Sequence, residues 1–223
     1  MNKKEMVDIL NIISSSSAGN CYIYNKDLMV DMGVSYIKVK PYLKDIKLLL
    51  LTHAHSDHFN SKTIAKVLYE YPNIKIICGE WLRDKLLDMG INKGNIYVLE
   101  LDKTYDFGKY IITPVMAVHD VPNCGYKITI KSNGYKIFHI TDTGSLSHIE
   151  AKGYDWYSVE GNYESKDIID RQIIETKNKG EFTYLERAKK YHMEQVATLN
   201  WLDKNMDEHS KYEFIHQHIE KGE

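Results

Sequence analysis

The stretch 48-LLLLTHAHSDHF-59 runs four leucines straight into His53, His55, Asp57 and His58. Residues 48–51 are apolar enough for a buried strand, yet four titratable groups follow almost at once. Burying an unpaired imidazole or carboxylate costs several kcal/mol or drives the group neutral. A divalent transition metal resolves that conflict, because imidazole nitrogens and carboxylate oxygens are its ligands. His53 and His55 stand two apart, the spacing at which side chains share one strand face. Asp57 and His58 follow after a bend and can face a second point close by. A polar surface loop is the plain alternative. Three histidines and an aspartate in six residues, placed directly after the leucines, favour the metal.

The rest of the chain sets the frame. Its 223 residues suffice for a sizeable core and are read as one domain, 1–223. A 43% hydrophobic and 27% charged composition is that of a globular protein. A net charge of −2 gives no global basic field that would advertise nucleic acid, though a local patch stays open. Cys21, Cys78 and Cys124 form no CxxC and no even framework, so they read as free thiols of a reducing compartment. No run has the length of a signal core or a membrane span, so a cytoplasmic protein without a membrane partner is expected.

Hydrophobic periodicity divides the chain into short strands and helices. Strands are expected over 7–13, 21–24, 28–31, 48–51, 74–78 and 96–101. Helices are expected over 61–71, ended by Pro72, and over 80–89, closed by Gly90. The segments YDFGKYIITPVMAVHD and GYKITIKSNGYKIFHITDTG alternate as hairpins, the second turning at Asn133-Gly134. A strand over 156–160, helices over 166–177 and 194–205, and a last strand over 212–216 complete the pattern. Strands grouped with helices outside them predict an α/β fold: a four-layer αββα sandwich, two mixed sheets packed face to face.

Further titratable residues close strands: His119 ends ITPVMAVHD, Asp142 ends KIFHITDTG and His216 ends KYEFIHQH. They would complete two metal sites. His53, His55 and His119 would hold one cation, and Asp57, His58 and His216 the other. Asp142 would bridge them, since a carboxylate has two oxygens. Zinc is the first expectation, with manganese or iron as alternatives.

THAHSDH is the HxHxDH signature of the metallo-β-lactamase fold superfamily, and His119, Asp142 and His216 follow in the order that superfamily uses. ISSSSAGNCYIY, MVDMGVS and VHDVPNCGYKI resemble the SSSxGNxxxI, IDxGxS and HDxxxxCGY segments of its small YycJ/WalJ-like exonucleases. The match runs from about Val7 to His218. The chain departs from that branch at Tyr163, where a histidine is usual, and in YHMEQ, which keeps His192 without an obvious serine. His216 is preferred over His218 as the last ligand because it directly follows Phe214 and Ile215. No cysteine stands where zinc β-lactamases carry one, so the resemblance points away from antibiotics and toward the phosphodiesterase and nuclease branches.

That implies a chemistry. Two cations about 3.5–4 Å apart hold a water and lower its pKa toward about 7, which supplies hydroxide for attack on a phosphodiester. Asp57 is expected to orient the hydroxide. His192 resembles in placement a histidine of the transfer-RNA 3′-processing ribonucleases and is expected to protonate the leaving oxygen. Ser17, Asn20, Tyr126 and Tyr163 are weaker candidates for substrate contact; the Ser-Gly-Asn segment could equally be only a tight turn. His139 is expected to face a sheet interior, and His148 and His209 to be solvated. The substrate is expected to be a phosphodiester, including single-stranded nucleic acid ends. An ester, lactone or thioester hydrolase of the glyoxalase-II or lactonase kind is the alternative. A non-catalytic sensor would have no need of a complete ligand set. Oligomeric state is not legible.

Overall fold

A computed structural model describes residues 9–180, 183 and 185–217. The chain forms two compact units. One is built on residues up to Tyr105 plus Val121–Cys124, the other on Asp106–Asp120 and residues from Gly125 onward.

The first unit holds a six-stranded sheet in chain order: β1 (Leu10–Ser16), β2 (Gly19–Tyr24), β3 (Leu28–Val30), β4 (Leu48–Leu50), β5 (Lys75–Cys78) and β6 (Ile96–Val98). β1, β2 and β3 pair antiparallel, and β3 through β6 pair parallel. Parallel neighbours need crossovers. A short helix α1 (Tyr36–Val39) lies between β3 and β4, and α2 (Ser61–Glu70) and α3 (Glu80–Asp88) follow β4 and β5. All three residues of β4 are buried, the mark of a strand covered on both faces. Leu49, Leu51, Ile76 and Met29 pack with Ile64, Val67, Leu82 and Leu86 of the helices.

The boundaries follow local chemistry. Asn60 caps α2 by accepting from Thr63 N at 3.1 Å. Tyr71 leaves helical geometry at the end of α2, as a residue before proline tends to. Gly90, at φ +78°, closes α3: Gly90 N donates to Leu87 O and Ile91 N to Leu86 O, the paired bonds of a Schellman motif.

The second unit holds the sheet β12-β11-β10-β9-β8-β7, with β7 (Tyr105–Asp106), β8 (Tyr110–Ala117), β9 (Asn123–Ile130), β10 (Tyr135–Ile140), β11 (Trp156–Glu160) and β12 (Lys211–Ile215). β9 and β10 form the expected hairpin: Gly134 at φ +70° donates to Ile130 O at 2.9 Å. β10, β11 and β12 pair parallel. Helices α4 (Lys166–Asn178), α5 (Leu185–Tyr191) and α6 (Gln195–Asn205) fill the long crossover between β11 and β12. Phe138, Tyr157 and Trp201 make the aromatic centre of this core, with the Phe138 and Trp201 rings 5.3 Å apart. The Tyr157 hydroxyl donates to Ala151 O at 2.6 Å, which lets a phenol sit in the interior.

Two helices differ from the expected elements. α1 and α5 span four and seven residues, too short to show a helical period. β1 runs on through three serines to Ser16, because the pairing of Ser14, Ser15 and Ser16 with β2 outweighs their poor strand propensity. The first two residues of the expected 7–13 strand, and His218, lie outside the described residues. Among the described residues no helix is long and apolar enough to cross a membrane.

Candidate functional site

Each unit carries a cluster of ligating side chains where its parallel strands end. In the first unit β3 ends in Asp31 and β4 in Thr52-His53. Thr52, His53, His58 and Asp31 are fully buried. Asp31 sits at φ +58°, a left-handed conformation that aspartate tolerates better than most residues. This turn aims its carboxylate at both ends of the histidine loop. Asp31 Oδ1 accepts Thr52 N at 2.8 Å, and Asp31 Oδ2 accepts the Thr52 hydroxyl at 2.8 Å and His58 Nδ1 at 2.6 Å.

These bonds set the tautomers. With the Thr52 hydroxyl donating to Asp31, its oxygen accepts from His53 Nδ1, 2.9 Å away. His58 Nδ1 likewise donates to Asp31. The Nε2 atoms of both rings are then lone-pair donors. Asn20 agrees: its oxygen accepts from Tyr22, and its amide donates to His58 Nε2 at 2.8 Å. His53 Nε2 meets His55 Nδ1 at 3.2 Å, and Asp57 Oδ2 lies 3.4 Å from His58 Nε2. Imidazole nitrogens oriented by an outer carboxylate suit a divalent cation. Asp57 keeps 23% of its side chain exposed, so its carboxylate remains open to a small molecule.

Gly33 makes the loop possible. A Cβ there would stand 1.6 Å from Asp57 O, while Asn20 N donates to that same oxygen at 2.6 Å. Gly33→Ala is therefore expected to displace the Asp57 backbone, costing about 1–3 kcal/mol or more. A fall of several degrees in melting temperature, with reduced metal uptake, is the expected reading. An unchanged melting curve would show that the loop yields freely.

In the second unit β10 ends in Thr141-Asp142, β11 in Glu160 and β12 in His216. Asp142 and His216 take φ +51° and +54°, so three strand-end residues of the two clusters are left-handed. One donor atom each from Asp142, Glu160, His192 and His216 lies within 4.8 Å of the others. Glu160, fully buried, is the hub. Its Oε2 accepts Thr143 N at 2.9 Å, and its Oε1 accepts His192 Nδ1 at 2.6 Å and His216 Nδ1 at 3.2 Å. Asp142 Oδ1 lies 3.4 Å from His192 Nδ1. Burial alone would raise the Glu160 pKa, but His192 and His216 outweigh it and hold it low. Burial pushes the His192 pKa down, yet the Glu160 carboxylate and then Asp142 leave it raised. The rings of His192 and His216 stack at 5.3 Å, and His119 meets His192 edge-on at 5.3 Å. His119 Nδ1 is 3.3 Å from Tyr191 O, and its Nε2 is 3.1 Å from Asp120.

The structure thus groups His53, His55, Asp57 and His58 in one unit, and His119, Asp142, His192 and His216 in the other. Asn20 stands inside the first group. Ser17 occupies the exposed turn between β1 and β2. Tyr126 is wholly buried in β9. Tyr163 is half-buried, its pKa raised to about 12 by burial and then by Glu194. His139 is buried in β10, opposite Tyr126, whereas His148 and His209 are exposed. Asp31 and Glu160 are not among the expected site residues. Asp31 lies in MVDMGVS, the segment that resembles IDxGxS, and Glu160 shows in the sequence only as a carboxylate at the end of an apolar strand.

A β-lactamase superfamily domain model matches residues 31–216. The exodeoxyribonuclease WalJ of Streptococcus pneumoniae is 26% identical over 170 residues, 69% of this chain and 62% of that protein. The chain therefore spans about three-fifths of the length of this curated relative. Among solved structures, the metallo-β-lactamase fold protein YhfI from Bacillus subtilis superposes with a TM-score of 0.70 at 13% identity, covering 94% of this chain and 86% of that one. Human tRNase Z, short form, gives 0.67 at 13% identity, covering 94% and 92%. A diphosphatase of the PhnP family gives 0.63 at 11% identity, covering 94% and 85%. These likenesses show the expected α/β fold class. The family match and the clustered imidazoles and carboxylates together support a metal-dependent hydrolase. From Asp31, at the head of the first cluster, to His216, at the end of the second, the chain belongs to the β-lactamase superfamily.

Proposed function

We propose that this chain hydrolyses phosphodiesters with the help of two divalent cations. The observation that carries the reading is the pair of the fully buried Glu160 with the partly buried His192, Oε1 to Nδ1 at 2.6 Å. With Nδ1 committed to that carboxylate, His192 has Nε2 for passing a proton to a leaving oxygen. A good leaving group needs no such donor; a nucleotide alkoxide does. The names of the relatives, exodeoxyribonuclease, tRNase Z and diphosphatase, point to the same chemistry.

The ligands implied by the motif order are His53, His55 and His119 for one cation and Asp57, His58 and His216 for the other, with Asp142 shared. Bound there, two cations supply Lewis acidity to the phosphoryl oxygens and acidify a water. The chain's own residues do the rest. Asp31 holds His53 and His58 in the ligating tautomer through its bonds to Thr52 and His58. Asp57, partly exposed and 3.3 Å from the Asn20 amide, accepts a hydrogen bond from the attacking water and orients it. Glu160 holds the His192 ring toward the leaving group.

The test loads the protein with zinc or manganese and offers bis-p-nitrophenyl phosphate, single-stranded DNA, lactones and thioesters. Elemental analysis of gently purified protein is expected to approach two metal equivalents, with phosphodiesters cleaved. Turnover of a lactone or thioester and no phosphodiester would replace this reading with the ester-hydrolase one. An active, metal-free protein would remove both.

A further inference from the structure

Between α6 and the segment 144–152 of the second unit lies an open cleft of about 580 Å³. Its lining includes Gly144 and Met193, which stand two residues in sequence from Asp142 and one from His192. Its apolar lining residues include Leu146, Ile149 and Trp201, and Lys152, Lys166 and Lys204 line it with the one acid Glu150. We propose that this cleft carries the strand of a single-stranded nucleic acid leading to the phosphodiester that is cut; the proposal rests on the phosphodiesterase reading above.

Charge decides the kind of ligand. The chain as a whole has a net charge of −2, so a polyanion gains nothing from its average field. Here three lysines line the cleft with Glu150, and a second carboxylate, Glu194, stands beside Lys166. Lys152 pairs with Glu150 at 3.1 Å and Lys166 with Glu194 at 3.7 Å, both with most of the lysine side chain exposed. The exposed Lys152–Glu150 pair is of a sort worth about 0–1 kcal/mol, so a phosphate can displace that carboxylate at little cost, whereas Glu194 is mostly buried and also accepts Lys166 N at 2.8 Å. Lys204 pairs with no carboxylate among the described residues.

Shape decides the rest. Ala197 to Lys204, both in the cleft lining, is seven helical steps, about 10 Å of α6. That length faces on the order of three stacked nucleotides at about 3.4 Å each. Single phosphate monoesters would leave most of the cleft unfilled. Trp201 is only 8% exposed, with its Nε1 donating to Ile149 O at 3.0 Å, so no aromatic face is offered for base stacking. Binding is then electrostatic, tolerant of sequence and sensitive to salt.

Fluorescence anisotropy of the metal-loaded protein with a labelled phosphorothioate dT10, read from 50 to 200 mM salt, tests the cleft without relying on turnover. In K152Q/K204Q the slope of log affinity against log salt should shrink by about 1.4, at about 0.7 for each phosphate of a single strand that a lysine no longer neutralises. Affinity at the lowest salt should fall several-fold for oligothymidylate and mixed sequences alike. Bis-p-nitrophenyl phosphate, which has no nucleotide strand to lie along the cleft, is assayed alongside. An unaltered slope overturns the proposal, as does absence of binding by the parent protein. An equal loss on the small substrate would place the lysines at the reacting centre and also overturn it. Lysine-dependent binding with no phosphodiester turnover leaves the cleft standing and removes the reaction assigned to its end.

Discussion

Asp31→Asn is expected to lose most of the bound metal and several degrees of melting temperature, although residue 31 belongs to no expected ligand set. Its carboxylate is fully buried and acts as acceptor only, toward Thr52 N at 2.8 Å, the Thr52 hydroxyl at 2.8 Å and His58 Nδ1 at 2.6 Å. An amide has nearly the same shape but turns one acceptor into a donor. If its oxygen stays on Thr52 N, its NH2 faces His58 Nδ1. His58 must then accept at Nδ1 and move its proton to Nε2, the nitrogen needed for a cation. If the amide flips, Thr52 N–H is left facing a donor, and a buried unmet donor costs about 1–3 kcal/mol. Loss of an outer partner to a ligating histidine typically costs about 10–100-fold in metal affinity. Chelator competition measures the affinity, and melting with and without chelator separates metal loss from scaffold damage. Retention of two tightly held metals by Asp31→Asn would mean that the tautomer of His58 is set elsewhere.

The contrast between His53–His58 and Asp31 shows what the sequence carries and what it does not. The histidine loop is legible because its members lie within six residues and follow a buried strand. Asp31 bonds to partners 21 and 27 residues away, and Glu160 to partners 32 and 56 away. Asp31 stands out only as part of MVDMGVS, which says nothing of its partners, and Glu160 at the end of YSV looks like any strand terminus until the fold brings its donors in. The left-handed turns at Asp31, Asp142 and His216 are equally silent, since nothing in a residue's own type demands them. Some strands and helices that periodicity describes, such as β11 and α2, are readable to within a residue, whereas β1 runs three residues past its expected end and β6 stops three residues short of its own. α1 and α5 are not, because seven residues or fewer hold no full pattern. α5 carries Tyr191, whose carbonyl meets His119, so part of the site's support sits on an element that pattern reading passes over.

For His192→Ala the expected loss depends on the leaving group. With p-nitrophenolate, which departs without a proton, the rate should change little. With a nucleotide leaving group it should fall about a hundredfold or more, the usual scale of general acid–base catalysis. The structure gives the reason for expecting the two to separate. His192 is held by Glu160 at 2.6 Å and stacked on His216, but the Glu160 carboxylate keeps Thr143 N at 2.9 Å and His216 at 3.2 Å when the ring is removed. The cluster around Asp142 therefore retains its outer support, and metal content should stay near that of the parent. Glu160→Gln differs. It disturbs Thr143, His192 and His216 together, so it should lower metal content and slow both substrates. The measurement is the ratio of the two losses at one pH and one metal loading, with metal content determined for each variant. A large ratio for His192→Ala beside a ratio near one for Glu160→Gln assigns proton delivery to His192 and support to Glu160. Equal losses on both substrates in His192→Ala, with metal depleted, would make His192 a structural member of the cluster and leave the leaving oxygen to find its proton elsewhere.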